Sequence, residues 1–226
     1  MTGTIGAPGS KADVYEAFGN PALLRAVVDH LAPGAAVLDV GCASGGLLAR
    51  LATHAGRREG IEVDPVAAAA AADVADRVHV GSVDQMAPEG PPFDVVVLGD
   101  VLEHVPDPAA TLDRVLAWLS PEGRLVISLP NVAHWSVRLS LVAGRWEYRD
   151  SGILDDTHLR FFTWASGREL VEGAGLRIVD RRPVISGLGA HLGRRLPATV
   201  DRAWRRIGVR RPNLFAYQQI IVAERG

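Results

Sequence analysis

The stretch Val37-Leu38-Asp39-Val40-Gly41-Cys42-Ala43-Ser44-Gly45 constrains this chain more than any other, because it sets glycines directly between an apolar strand and a helix. Ala36–Val40 reads as the strand and Leu47–His54 as the helix. Glycines at such a turn let the backbone approach a ligand closely, and the helix start offers N–H groups that lack intrahelical partners. Glu62 follows Gly41 by about 20 residues, at the end of the next strand, Ile61-Glu62-Val63. That spacing suits a carboxylate accepting hydrogen bonds from ribose hydroxyls. Glycine turn and acid together point to a nucleotide site, where either alone is weak. The plainer alternative is that the glycines only close a tight turn and Glu62 is a surface residue. A dinucleotide dehydrogenase would want G-x-G-x-x-G, and Ala43 occupies the middle glycine position.

The rest of the chain continues the alternation. An alanine-rich helix is expected over Val66–Val74, a third strand at Arg77–Val80 and a fourth at Phe93–Leu98. The fourth is apolar on both faces, as a central parallel strand should be. A helix over Pro108–Leu119 stops at Ser120-Pro121-Glu122-Gly123, and Arg124–Leu129 supplies a fifth strand. After Pro130 the rhythm breaks and later resumes: a helix at Ala165–Gly173, a strand at Leu176–Asp180 and a last strand at Phe215–Ala223. The pattern predicts an α/β, Rossmann-like doubly wound sheet forming one domain over residues 1–226. Residues 1–11 read as a disordered lead-in, 131–165 as a cap-like substrate-side insertion after strand 5, and 183–213 as an arginine-rich insertion. Ahead of the first strand, helical spacing runs from Ala12 to Leu31 and is broken at Gly19-Asn20-Pro21.

Composition narrows the function classes. No apolar run approaches the ~20 residues that span a bilayer, and the first residues carry neither a basic nor an apolar targeting region, so a cytoplasmic location is expected. The single cysteine, Cys42, excludes an internal disulfide framework and a cysteine-based zinc site. A formal net charge of −2 argues against nucleic acid as partner. The charge is uneven, however: residues 181–211 hold nine arginines against the single acid Asp201. Within them, Ala198–Val209 sorts into an apolar and a basic face. Such a helix could touch anionic lipid or a phosphate-bearing substrate, or simply pack its Trp204 side on the sheet.

VLDVGCASGGL, GIEVDP and FDVVVLGDVLEHVPDP, in this order and spacing, resemble the successive motifs of class I S-adenosylmethionine-dependent methyltransferases. The resemblance covers most of residues 36–130. It implies a seven-stranded sheet of order 3-2-1-4-5-7-6 with strand 7 antiparallel, and S-adenosyl-L-methionine as cofactor. It also implies that Asp39, Gly41, Cys42, Ala43 and Gly45 contact the cofactor's methionine part, Glu62 its ribose and Val63 its adenine. Gly99, Asp100 and Val101 would line the cofactor beyond strand 4, and Tyr15 would cover the methionine end. The acid that members of the family place after strand 3 is missing from Gly81-Ser82-Val83-Asp84: Ser82 stands there, with Val83 beside it and Asp84 as the substitute.

The acceptor side is carried by 131–165 and by LEHVPDP. Methyl transfer to an alcohol needs a base, and His158 is the preferred one, oriented by Asp155 or Asp156, with His104 as the other candidate. His134, Trp135, Trp146, Tyr148 and Arg160 are candidate acceptor contacts, the aromatic rings suiting sugar faces. The same rings could instead form the cap's own small core, and His158 a buried anchoring network. PNVAHW, GRWEY and GILDDTHLRFFT resemble a bacterial methyltransferase subgroup associated with glycans, lipid-linked saccharides or natural products, and more faintly the methionine-biosynthesis protein W group. Expected, then, is O-methylation of a small hydroxylated acceptor, with a sugar or glycan and polysaccharide biosynthesis favoured. N- or C-methylation of a metabolite, or a non-catalytic cofactor-binding partner protein, are the alternatives. A divalent metal is not favoured, because Asp100, His104, Asp155 and His158 lack diagnostic metal spacing. Nucleic-acid methylation lacks its N-P-P-Y motif, since Leu98-Gly99-Asp100-Val101 stands in that place.

Overall fold

The computed structural model describes residues 20–226 apart from Ala87 and Leu192. Tyr15, the 1–11 lead-in and the first part of the expected leading helix lie outside the described residues. The chain runs α1 (Pro21–Asp29), β1 (Ala36–Val40), α2 (Gly46–Arg50), β2 (Arg57–Glu62), α3 (Pro65–Ala71), β3 (Arg77–Val80) and β4 (Phe93–Gly99). It continues α4 (Pro108–Leu116), β5 (Leu119–Pro130), α5 (Trp135–Val142), α6 (Trp164–Gly173), β6 (Leu176–Val184), α7 (Leu188–His191), α8 (Ala198–Arg210), α9 (Pro212–Phe215) and β7 (Gln218–Arg225).

The strands form a seven-stranded sheet in the order β3-β2-β1-β4-β5-β7-β6, parallel except that β7 runs antiparallel to both β5 and β6. This is the order implied by the sequence resemblance. Apolar layers cover both faces. On one, Leu23, Ala26 and Val27 of α1 pack with Val37, Val95, Val97, Val126 and Val222. On the other, Leu112 and Val115 of α4 and Val171 of α6 pack with Leu38, Val96, Leu98 and Ile127. β1 and β4 are therefore buried along most of their length, Ala36 and Asp94 being the more open positions at their N-terminal ends and Gly99 at the C-terminal end of β4. α1 starts where the sequence break was read, with Asn20 as N-cap accepting from Ala22 and Leu23 and Pro21 leading the first turn.

Several boundaries differ from expectation for physical reasons. β6 runs on through Arg181 and Arg182 to Val184 because β7 supplies its backbone partners, which outweighs the loss of apolar alternation. β7 begins at Gln218, since Pro212–Phe215 closes a short helix instead of starting a strand. α8 packs as its apolar face requires: Trp204 donates from Nε1 to the Ser186 carbonyl (3.0 Å), and Gly208 lies against Ile185. α5 and α8, one from each insertion, meet edge-on through Trp135 and Trp204, ring centroids 5.8 Å apart. Both lie by the paired ends of β5 and β7, where Pro130 faces Gln218. Among the described residues no helix is long and apolar enough to cross a membrane.

Candidate active site

The turn after β1 is built for close approach. Gly41 has φ +72°, and a Cβ there would stand 2.8 Å from Val101 Cγ2. Gly45 has φ +84°, and its Cβ would meet Val74 and the Ala71 backbone. Among the described residues the only non-glycines at positive φ are Ala43 (+47°) and Asp100 (+57°), which line one hollow past the ends of β1 and β4. Strained backbone of this kind persists where the surrounding structure holds it, often at a ligand site.

Glu62 is held by backbone amides. Its Oε2 accepts from Ala43 N and its Oε1 from Asp64 N, both at 2.9 Å, so the carboxylate ties the glycine turn to the end of β2. It borders a cavity of about 310 Å³ lined also by Val63, Ser82, Val83, Asp100, Val101 and His104. A second cavity, about 120 Å³, takes in Asn20, Asp39, Cys42, Ala43, Ser44 and Asp100. Gly41 and Asp100 border both, so the two are halves of one groove over the C-terminal ends of β1 and β4. Asp84 is not part of the lining; its Oδ1 accepts from Thr111 on α4 (3.4 Å), which leaves Ser82 on the wall.

The groove's electrostatics follow from burial. Desolvation, and secondarily the nearby Glu62, push the Asp39 carboxyl up to about 7. Burial likewise raises the Cys42 thiol, reinforced by Asp39 and Glu62, so this cysteine packs and does not act as a nucleophile at neutral pH. Burial raises Asp100 too, although Ser128 Oγ (2.7 Å) and Gln218 Nε2 donate to it. Gln218 is in turn held by Asn20 Nδ2 (2.6 Å). Ser44 Oγ is buried with no hydrogen-bond partner, a polar atom left over at the groove. Narrow backbone cradle, oriented carboxylate and orphaned hydroxyl together fit a nucleoside carrying a polar tail.

Beyond β4, Glu103 and His104 tie the 131–165 insertion to the groove. Glu103 is 1% exposed, one carboxylate oxygen has no partner, and burial, followed by Asp100, holds its carboxyl well above the usual range. Its backbone carbonyl accepts from Leu159 N (2.8 Å) and Arg160 N (3.0 Å), which stitches the 131–165 insertion to the turn after β4. His104 Nδ1 lies 3.3 Å from the Thr157 carbonyl and 3.1 Å from Thr157 Oγ1, and Thr157 Oγ1 donates to Asp155 Oδ1. The carbonyl can only accept, and the hydroxyl proton is committed to Asp155. Nδ1 is therefore the protonated nitrogen, and neutral His104 presents Nε2 as its basic atom. His158 is buried; its Nδ1 faces the Ile153 carbonyl at 3.1 Å, and its ring stands edge-on to His104 at 4.8 Å. One ligand atom each from Glu103, His104 and His158 lie within 4.8 Å of one another. That spread exceeds the roughly 3–3.5 Å between neighbouring ligands of an ion held at ~2.1 Å, so the three would have to close up to hold one.

The remaining candidates divide by burial. His134 is fully buried as the N-cap of α5, with Nδ1 2.7 Å from Ser136 Oγ. Trp135 packs with Trp204 and His134, and Arg160 donates to the Pro106 carbonyl. Asp156 is exposed and Asp155 buried. Trp146 and Tyr148 keep exposed faces and form a trio with Phe161, Trp146 standing 5.3 Å from Phe161 and 6.3 Å from Tyr148. Sequence reading missed Glu103, Ser128, Gln218, Asn20 and Thr157. A polar residue inside the apolar runs LVISLP and YQQIIV was the available signal for Ser128 and Gln218.

Comparison with known proteins agrees with this geometry. A model of the methyltransferase domain matches residues 15–181. The chain belongs to this methyltransferase family, with the class I sheet order that its motifs implied. Ubiquinone biosynthesis O-methyltransferase of Xanthomonas campestris pv. campestris (strain B100) is 36% identical over 140 residues, 56% of each chain. The enzyme of that name from Xylella fastidiosa (strain 9a5c) is 34% identical over 128 residues, 51% of this chain and 50% of its own. The chain thus spans about half the length of these curated relatives. Magnesium protoporphyrin IX methyltransferase from Synechocystis PCC 6803, solved with S-adenosylhomocysteine, superposes with a TM-score of 0.63 at 16% identity, covering 98% of this chain and 90% of its own. The 4+2 cyclase SpnF superposes at 0.59 with 24% identity, over 90% and 80% of the two chains. Both likenesses concern the fold, and the second shows that this fold also hosts other chemistry.

Proposed function

We propose that the protein is an S-adenosylmethionine-dependent O-methyltransferase acting on a hydroxyl of a small molecule, with His104 as the base. The observation that carries this proposal is that His104 borders the same cavity as Glu62 and Asp100 while its Nδ1 is committed to Thr157. S-adenosylmethionine, when bound, supplies an electrophilic methyl group on sulfur. Glu62 would accept from its ribose hydroxyls, Val63, Ser82 and Val83 would hold its adenine, and Asp39 and Ser44 would receive its methionine end, all of them lining the two halves of the groove or, for Ser44, offering an unpartnered hydroxyl there. His104 Nε2 takes the proton of the acceptor hydroxyl; Thr157 and Asp155 keep the ring in the required tautomer. His158, the base preferred from sequence, is the more buried of the two, with its Nδ1 at the Ile153 carbonyl and its ring edge-on to His104, which favours His104 in this reading. A positioned base contributes about 10²–10⁴-fold, and alignment of nucleophile and methyl supplies much of the rest.

The curated relatives support oxygen as the nucleophile, since they are O-methyltransferases by name; that name places them in ubiquinone biosynthesis and lends nothing to a polysaccharide role. Trp146, Tyr148 and Phe161 offer a ring-sized apolar surface beside His158 that suits a flat or sugar-like acceptor. Turnover of phenolic, sugar and amine acceptors by the wild type and by His104→Gln tests the assignment. Oxygen acceptors should slow by about 10²-fold or more in the variant while amine acceptors, needing less base assistance, barely change. Equal turnover of oxygen acceptors by both proteins contradicts it.

A further inference from the structure

A second pocket lies away from the groove, between α5 and the junction of α8 with α9. It has a volume of about 360 Å³ and is lined by Arg138, Arg210, Arg211, Pro212, Asn213 and Leu214. Three of six lining residues are arginines and none is acidic. Arg138 donates from Nε to the Ala133 carbonyl (2.6 Å), which fixes the guanidinium and leaves its terminal nitrogens to other partners. Among the described residues none of the three forms an ion pair with a carboxylate, whereas Arg205 on the same helix is paired with Asp201. Arg210 in the last turn of α8 is explained by the helix dipole alone. That does not explain why Arg138, from a different insertion, converges on the same concavity. Like charges gathered in one hollow repel unless an anion sits between them, and guanidinium forks match phosphate oxygens bidentately.

The surroundings add a second property. Val142 lies one turn from Arg138 on α5 and is 86% exposed; Ile207 lies one turn from Arg210 and Arg211 and is half exposed. Each cationic wall thus carries an uncovered apolar shoulder. The pocket is also tied to the sheet end that carries the groove: Asn131 Nδ2 donates to the Asn213 carbonyl (3.2 Å), and Ser128, three residues earlier on the chain, holds Asp100. Three residues of extended chain correspond to about 10 Å.

We infer that the Arg138–Arg210–Arg211 pocket binds the phosphate group of an amphiphilic phosphate ester, either a soluble phosphorylated acceptor or a lipid headgroup. This goes beyond the methylation proposal and does not depend on it, because phosphate binding is read without cofactor or acceptor. Hexyl phosphate titrated by calorimetry probes the soluble source. Sedimentation with phosphatidylglycerol or phosphatidylcholine vesicles probes the bilayer source. The wild type should bind at least one of these anionic probes, with affinity falling as salt rises. Arg210→Gln with Arg211→Gln should weaken that binding at least tenfold, and Arg138→Gln alone severalfold. Arg202→Gln with Arg206→Gln, which removes the same charge from exposed sites of α8 outside the pocket, should leave it within about twofold. Hexyl phosphate binding assigns a soluble ligand, and binding confined to phosphatidylglycerol vesicles assigns a lipid headgroup. Failure of both probes, or equal loss in the two double variants, overturns the site while leaving the cofactor groove untouched.

Discussion

Asp39 gives the sharpest test of the groove. It is buried at the end of β1 and its carboxyl is raised to about 7, first by burial and then by Glu62. A raised acid keeps its proton in the folded state after the unfolded chain has released it. Stability should therefore be highest below about pH 4 on this account alone and fall as pH rises to 7, by about 4 kcal/mol for a shift of about three pH units. A cationic ammonium placed beside Asp39 reverses the penalty, because it favours the carboxylate. Binding of S-adenosylhomocysteine should then release a proton from Asp39. About a tenth of the carboxyl is ionised at pH 6 and about nine-tenths at pH 8, so affinity should rise about tenfold across that range and flatten above it. Calorimetry in two buffers of different ionisation enthalpy reads the proton directly: close to one released at pH 6, about half at pH 7 and almost none at pH 8. Asp39→Asn should bind with an affinity that does not change over this range and should gain stability at pH 8. A pH-independent affinity in the wild type, or an unchanged slope in the variant, refutes the assignment of Asp39 to the cationic end of the ligand.

Other expectations concern neighbouring groups. Glu62→Ala removes the acceptor for Ala43 N and Asp64 N as well as the ribose contact, so cofactor affinity should fall at least tenfold by calorimetry. Thr157→Val severs Asp155 from His104 and should lower kcat roughly tenfold with cofactor affinity unchanged, whereas Thr157→Ser should retain most activity. Gly41→Ala sets a Cβ 2.8 Å from Val101 Cγ2 at φ +72° and should destabilise the fold by about 1–3 kcal/mol in denaturant titration, with partial relief from Val101→Ala. EDTA should leave turnover unchanged, because Glu103, His104 and His158 are spread too widely to hold an ion without closing up; loss of turnover restored by Mg²⁺ would assign them to an ion instead.

The glycine turn and the acid that border the groove were legible in the sequence because they are set by local structure. Glycine turn, following helix and acid at the end of the next strand all lie within one βαβ unit, and backbone geometry alone brings them together. The acceptor half was less legible because its geometry is non-local. Thr157 reaches His104 across 53 residues, and Gln218 reaches Asp100 across 118, through the antiparallel insertion of β7 beside β5. His158 stood out in a polar motif, and its burial and edge-on contact with the His104 ring come from packing that the motif alone does not show. His134 was read from sequence as a candidate acceptor contact and is the buried N-cap of α5, a role that suits any acceptor placed two residues before Ser136 N. The aromatic residues split the same way, Trp135 into the cap's packing and Trp146 with Tyr148 onto its open surface.

The central claim is methyl transfer to a small-molecule oxygen with His104 as base, and transfer of label from methyl-labelled S-adenosylmethionine tests it most directly. Wild type, Glu62→Ala and His104→Gln should be incubated with extract fractions separated into saccharides, lipids, ring-containing metabolites and amines. The account predicts alkali-stable label on an oxygen of one small-molecule fraction, lost with Glu62→Ala at limiting cofactor and about 10²-fold slower with His104→Gln at saturating cofactor. Label on no fraction despite tight cofactor binding, or equal labelling by wild type and His104→Gln, would contradict it.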